Sequence, residues 1–164
     1  MKRAVVVMGV SGAGKSTVGR VFANRIGAPF IEGDDLHPEA NRRKMAGGVP
    51  LTDADRLPWL KAVAAAIRAT QAPEVVVACS ALRRSYRDLI RAEAVCPVIF
   101  LLLTGEAAVL GQRLRARQGH FMPATLLDSQ LAQLEPPGPD EAHLTIDIGT
   151  PVEEVVERMT ALLP

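Results

Sequence analysis

Gly9, Gly14, Lys15 and Ser16 stand at the spacing G-x-x-x-x-G-K-S within Gly9-Val10-Ser11-Gly12-Ala13-Gly14-Lys15-Ser16. Glycines let such a loop curl tightly, so that successive backbone N–H groups and a helix N-terminus converge on the phosphates of a nucleotide. Lys15 then reaches the β- and γ-phosphates, Ser16 ligates Mg²⁺, and Thr17 continues the phosphate-facing turn. A phosphate-binding loop establishes that a nucleoside triphosphate is held, not what is done with it. The next chemistry-bearing group is Glu32-Gly33-Asp34-Asp35. Acids placed there can organise Mg²⁺ or its waters and accept the proton of an attacking hydroxyl, the two tasks of a kinase. Asp35 reads equally well as a turn residue ahead of Pro38.

A polar insert follows, with His37, Asn41 and the basic run Arg42-Arg43-Lys44. Any one of these side chains could simply be solvated, but together they suit an acceptor that carries a carboxylate and hydroxyls. Arg113 and Arg117 lie four apart on one predicted helix face, ahead of Gly119-His120-Phe121. That arrangement has the character of a lid, about 115–137, whose guanidinium groups neutralise charge on the phosphates. The apolar run at Val75 ends in Cys79-Ser80-Ala81-Leu82-Arg83, with no aspartate for the metal shell. Glu32 and Asp34 are left as the available carboxylates, which argues against motor-type or switch-type nucleotidases.

The elements that must position these groups alternate between two periods. Ala4–Met8 and Val98–Leu103 are uninterrupted apolar runs, as are Val75–Cys79 and the shorter Ala28–Glu32 and Leu144–Ile148, which predicts strands of a buried parallel sheet. Helical spacing joins Val18, Val21, Phe22 and Ile26, then Leu60, Val63 and Ile67, then Val109, Leu110 and Leu114. The third helix is expected to take Asp53 or Asp55 as its N-cap, with Pro58 in the first turn and Trp59 in the core. The helix Ser85–Ala94 carries its arginines outward and Leu89 and Ile90 inward. A terminal helix is expected over Pro151–Leu163. The order predicts an α/β P-loop NTPase fold: one domain over 1–164, a five-stranded parallel sheet with helices on both faces, and an acceptor-binding insert at about 34–57.

Composition narrows the partners. The chain has 164 residues, 48% hydrophobic, with a formal net charge of +1. That length supports one sizeable core, and so small a charge supplies no general attraction to nucleic acid or an anionic membrane. Two cysteines without a CxxC or Cys/His cluster suit reduced thiols rather than a disulfide framework or zinc. No segment of signal-peptide form precedes the phosphate loop, so the expected setting is cytoplasmic. Aromatic content of 4% suits a polar acceptor better than a stacked base.

In blocks beyond the phosphate loop, the sequence resembles the small P-loop gluconate kinases (gluconokinases), relatives of shikimate and nucleoside monophosphate kinases. The blocks are Gly33-Asp34-Asp35-Leu36-His37-Pro38 with Asn41, Pro50-Leu51-Thr52-Asp53-Ala54-Asp55-Arg56-Leu57-Pro58-Trp59-Leu60, Cys79-Ser80-Ala81-Leu82-Arg83, Arg117-Gln118-Gly119-His120-Phe121-Met122, and Gln130 with Leu134-Glu135-Pro136-Pro137. The resemblance spans nearly the whole chain. It implies transfer of the ATP γ-phosphoryl group to the terminal hydroxyl of D-gluconate. Asp34 would be the base, Lys15 and Arg117 would stabilise the migrating group, and Ser16 would hold Mg²⁺, with Glu32 acting through water where relatives often carry aspartate. His37, Arg42, Arg83 and His120 would contact the sugar acid, with Arg83 standing where the family often has lysine. Arg113 would join the ATP site. Family members are often homodimers. The residues alone reach a small-molecule kinase with a hydroxyl acceptor, leaving a shikimate-type or nucleoside-monophosphate-type kinase, a nucleotide-gated regulator and a nucleic-acid end kinase as rivals.

Overall fold

A computed structural model describes residues 1–116 and 124–163. In chain order the elements are β1 (Arg3–Met8), α1 (Lys15–Ile26), β2 (Phe30–Glu32), a 3₁₀ turn (Gly33–Leu36), α2 (Glu39–Ala46), α3 (Asp53–Ala69), β3 (Glu74–Ala78), α4 (Arg84–Ala94), β4 (Val98–Thr104), α5 (Ala107–Ala116), α6 (Ala124–Gln133), β5 (His143–Asp147) and α7 (Val152–Ala161). The five strands are parallel, in the order β2-β3-β1-β4-β5. From β1 the chain first builds one flank of the sheet and then the other. The carboxyl end of β1 is therefore the topological switch point, where α/β sheets place their ligands.

Strand alternation explains the unbroken apolar runs. Val5, Val7, Val76, Leu101 and Leu103 enter the core on one face, against α1 and α7 through Phe22, Val155 and Met159. Ala4, Val6, Val75, Val77, Phe100 and Leu102 enter the other, against α3 and α4 through Trp59, Val63, Ile67 and Ile90. Both faces are buried, so neither can be polar. Phe22 is fully buried, and its truncation to alanine would cost about 3–5 kcal/mol.

Four expectations change. The α3 N-cap is Thr52 rather than Asp53 or Asp55. Its hydroxyl accepts from the Asp55 amide at 3.1 Å, while the Asp55 carboxylate accepts from the Thr52 amide at 2.9 Å, a reciprocal capping box. Arg87 does not point outward with the other α4 arginines; it is fully buried, pairing with Glu141 at 2.8 Å. In α1 the buried stripe follows Val18, Phe22 and Ile26, which leaves Val21 exposed at its rim. In α5, Leu110 is buried and Leu114 packs on the core, whereas Val109 faces solvent. Among the described residues, no helix is long and apolar enough to cross a membrane.

Candidate active site

The phosphate loop joins β1 to α1 and is shaped by what surrounds it. Gly9 has φ 141°, and a Cβ there would lie 2.7 Å from the Leu103 carbonyl oxygen, so only glycine fits between β1 and β4. Gly14 caps α1 in the left-handed region, which turns the first N–H groups of the helix toward the loop. Val10, Ser11, Gly12 and Ala13 complete the curl, and the Lys15 ammonium donates to the Val10 carbonyl at 3.0 Å. Helix α5 roots on the same loop: a Cβ on Gly12 would lie 2.9 Å from the Leu110 carbonyl. From the other side, the Ser11 amide donates to the Gln130 side-chain oxygen at 2.8 Å, which ties α6 to the loop.

The acids sit where the sequence order places them. Gly33 is pressed so close to β3 that a Cβ would meet the Ala78 carbonyl at 2.3 Å, and its own carbonyl accepts from the Trp59 indole at 2.8 Å. The turn carrying Asp34 is thereby fixed between sheet and α3. Glu32 ends β2 beside the phosphate loop, where its carboxylate accepts a hydrogen bond from the Ser16 hydroxyl. Arg20 stands 3.9 Å from the same carboxylate. A hydroxyl and a carboxylate side by side are hard oxygen donors of the kind Mg²⁺ takes, since that ion uses one or two protein oxygens together with water and phosphate.

A cavity of about 380 Å³ opens between these groups and the insert, within the usual size of small-molecule clefts. Lys15 and Asp34 line its phosphate-loop end, His37, Arg42, Arg56 and Trp59 its insert side, and Ser129 and Gln130 its α6 side. The basic run is divided by its partners. Arg42 reaches the cavity while donating to the Asp35 carbonyl at 2.7 Å; Arg43 pairs with Glu39 at 3.4 Å in solvent; Lys44 pairs with Asp55 at 2.7 Å. Trp59 is core, as expected, yet also stacks on His37 with ring centroids 4.1 Å apart. Burial in that stack, with Arg42 and Arg56 adding to it against the opposing charge of Asp34, brings the His37 pKa down to about 4, so the ring is neutral at physiological pH.

Arg56 was not distinguished among the candidate residues by the sequence. It lines the cavity, nearly buried, with its guanidinium donating to the Tyr86 hydroxyl at 3.1 Å and standing 3.8 Å from Asp53. Tyr86 donates in turn to Asp53. Arg83, at the start of α4, stands 3.9 Å from the same carboxylate and is not among the described residues that line the cavity. A second cleft, of about 310 Å³, lies across the phosphate loop, where Gly14, Thr17 and Arg113 face the segment Asp147–Val152. Arg113 donates to the Ile148 carbonyl at 2.9 Å. Arg117 and His120 lie outside the described residues.

The loop after β3 is held from behind. Arg87 donates to the Ala81 and Leu82 carbonyls at 2.9 and 3.2 Å and pairs with Glu141; Glu141 also takes bonds from Arg91 and the Gly138 amide. Burial alone would raise the Glu141 pKa, but these donors outweigh it and bring it to about 2. The cluster fixes the return from α6 against the floor of the cavity, since the Glu135 amide also donates to the Leu82 carbonyl at 2.8 Å.

Known proteins resemble this chain over most of its length. A family model described as an AAA domain matches residues 5–137. The chain is 46% identical to a gluconokinase of Gluconobacter oxydans, covering 96% of this chain and 89% of that protein. It is also 46% identical to the thermoresistant gluconokinase of Escherichia coli, over 92% of this chain and 87% of the relative. The crystal structure of a gluconokinase from Sinorhizobium meliloti superposes with a TM-score of 0.87 at 48% identity, covering 96% of this chain and 89% of that one. A phosphate loop and an acid that line one cavity are thus set in a sequence of the same kind over nearly its whole length, and the chain belongs to the gluconokinase family of P-loop kinases.

Proposed function

We propose that the protein transfers the γ-phosphoryl group of ATP to the terminal hydroxyl of D-gluconate, forming 6-phospho-D-gluconate and ADP. The observation that carries this reading is that one cavity is lined by Lys15 and Asp34 together with two guanidinium groups and an uncharged histidine. Gluconate presents one carboxylate and five hydroxyls, and such a ligand needs many polar partners and little stacking surface.

The nucleotide lies with its phosphates on the amides of residues 9–17 and its base toward the second cleft, beside Thr17 and Arg113. The terminal phosphoryl group then faces the acceptor cavity and the Lys15 ammonium. Asp34 orients the acceptor hydroxyl and takes its proton as the oxygen attacks phosphorus; the bond from the γ-phosphorus to the bridging oxygen breaks, and ADP leaves. Lys15 balances the charge that moves onto that oxygen. Ser16 and Glu32 are the residues that would hold Mg²⁺, Glu32 through water, and the ion would neutralise phosphate charge. At the other end of the cavity, Arg56 is braced by Tyr86 and Asp53 and suits the gluconate carboxylate, because a guanidinium can meet it with two parallel hydrogen bonds. Arg42 serves the hydroxyls nearer the turn.

ADP release from Mg²⁺-ATP, measured with D-gluconate, shikimate, AMP and glucose in parallel, tests the reading. Stimulation by gluconate with 6-phosphogluconate as product is expected. Stimulation only by another acceptor would keep the kinase and overturn the substrate.

A further inference from the structure

Asn41 is buried in α2, and its side-chain amide makes two contacts that together decide the state of a neighbour. Its Nδ2 lies 2.9 Å from the backbone carbonyl of Asp55 and 3.1 Å from His37 Nδ1. A backbone carbonyl only accepts, so the group that faces it is the NH₂ and the orientation of the amide is fixed. The second N–H of the same NH₂ is then directed at His37 Nδ1, which must accept and can carry no proton. An imidazolium, or a ring with its proton on Nδ1, would set two donors face to face. The Asp55 carbonyl cannot readily move away, because Asp55 is held by the Thr52 capping box and by Lys44. Nor can the ring turn freely, since Trp59 stacks on it at an interplanar angle of 15°.

We propose that Asn41 is a positioning residue that locks His37 as the neutral tautomer with its proton on Nε2, so that His37 meets the acceptor only as a hydrogen-bond donor. The proposal rests on the reading of this cavity as the acceptor site. His37 lines the cavity, and Nε2 has no hydrogen-bond partner among the described residues. The charged groups around the ring are Asp34 on the 3₁₀ turn, Arg42 on α2 and Arg56 on α3; the two guanidinium groups and burial oppose a proton on Nδ1, and Asp34 alone favours one. A donor-only histidine cannot compete with Asp34 for the hydroxyl proton. It selects for an oxygen with a free lone pair at its position and discriminates against a cationic amine there.

The ring state can be read in the free, full-length protein by long-range ¹H–¹⁵N correlation of ¹⁵N-histidine, with His37 assigned by its loss in His37→Gln. The expected pattern is an unprotonated Nδ1 and a protonated Nε2, unchanged from pH 6 to pH 8. A proton on Nδ1, or titration of the ring within that range, overturns the proposal. Asn41→Asp replaces the donor with an acceptor and should move the proton to Nδ1, lowering kcat/KM for gluconate roughly tenfold or more with KM for ATP unchanged; an unaltered ring pattern in that variant would contradict the lock. His37→Gln, which can still donate near the Nε2 position, should retain more kcat/KM for gluconate than His37→Glu, and the reverse order would overturn the donor role. Failure of the wild-type enzyme to phosphorylate gluconate would instead overturn the acceptor reading, while the ring pattern would still decide the tautomer.

Discussion

The Ser11 amide donates to the side-chain oxygen of Gln130 at 2.8 Å, so one hydrogen bond connects the phosphate loop to the helix that walls the acceptor cavity. The two residues are 119 positions apart, and in the proposed reaction this contact would link the nucleotide's phosphates to the wall of the acceptor cavity. A neutral bond of this kind contributes about 0.5–1.5 kcal/mol. Gln130→Ala should therefore lower kcat/KM for gluconate several-fold with little change in melting temperature. Steady-state kinetics beside a thermal melt checks this, and an unchanged kcat/KM would remove Gln130 from the coupling.

Arg56 is the side chain assigned to the substrate carboxylate. Hydrogen bonds to charged groups contribute about 1.5–3 kcal/mol, so Arg56→Leu should raise KM for gluconate by roughly tenfold to a hundredfold. ATP affinity should be unchanged, because Arg56 lies at the insert end of the cavity. Arg83→Leu, by comparison, should have the smaller effect, since Arg83 pairs with Asp53 at 3.9 Å and is not among the described residues that line the cavity. If Arg83→Leu proves the more damaging of the two, the assignment is reversed.

Arg87 and Glu141 form a buried pair, and removing one partner strands a charge. Glu141→Ala should cost about 3–5 kcal/mol of stability by urea unfolding. Replacing both residues with apolar ones should cost clearly less than the two single losses together, because neither charge is then left uncompensated. Additive losses would show that the pair acts through packing alone.

Acid should destabilise the protein in two stages. His37 has a folded pKa of about 4, below the ordinary 6.5, so between those values the unfolded chain binds more protons at this site. Its contribution is complete above pH 6.5 and is lost as pH falls toward 4. Glu141, brought to about 2, contributes fully above pH 4.5 and loses that contribution as pH falls through 2. Urea unfolding between pH 7 and pH 4 should show a stability decline that flattens in His37→Gln. An identical slope in the variant would rule out His37 as its source.

The sheet and the phosphate-loop end of the candidate site were legible in the sequence for a common reason: their signals are local. Val5 to Met8 followed by Gly9 to Ser16 carries strand, turn and helix start in adjacent residues, and Glu32 and Asp34 follow the next strand directly. The α3 cap was legible too, since Thr52 and Asp55 have capping-box spacing, but the neighbouring aspartates offered a competing cap. Arg87 carried no such signal. A helical arginine reads as solvated until its partner, 54 positions later, is brought beside it by β5. Arg56 and the His37–Trp59 stack were obscured similarly: each residue had an ordinary local role, and only the packing of α3 against the 3₁₀ turn placed it at the cavity.

In the proposed reaction Asp34, which lines the same cavity as Lys15, serves as base in phosphoryl transfer to gluconate. The most direct measurement is single-turnover phosphorylation of D-gluconate by the wild-type protein and by Asp34→Asn, with ATP affinity determined on both. Positioned general bases contribute about 10²–10⁴-fold. A loss of that size in the chemical step is expected, with ATP affinity unchanged. A variant that turns over gluconate at nearly the wild-type rate would contradict it.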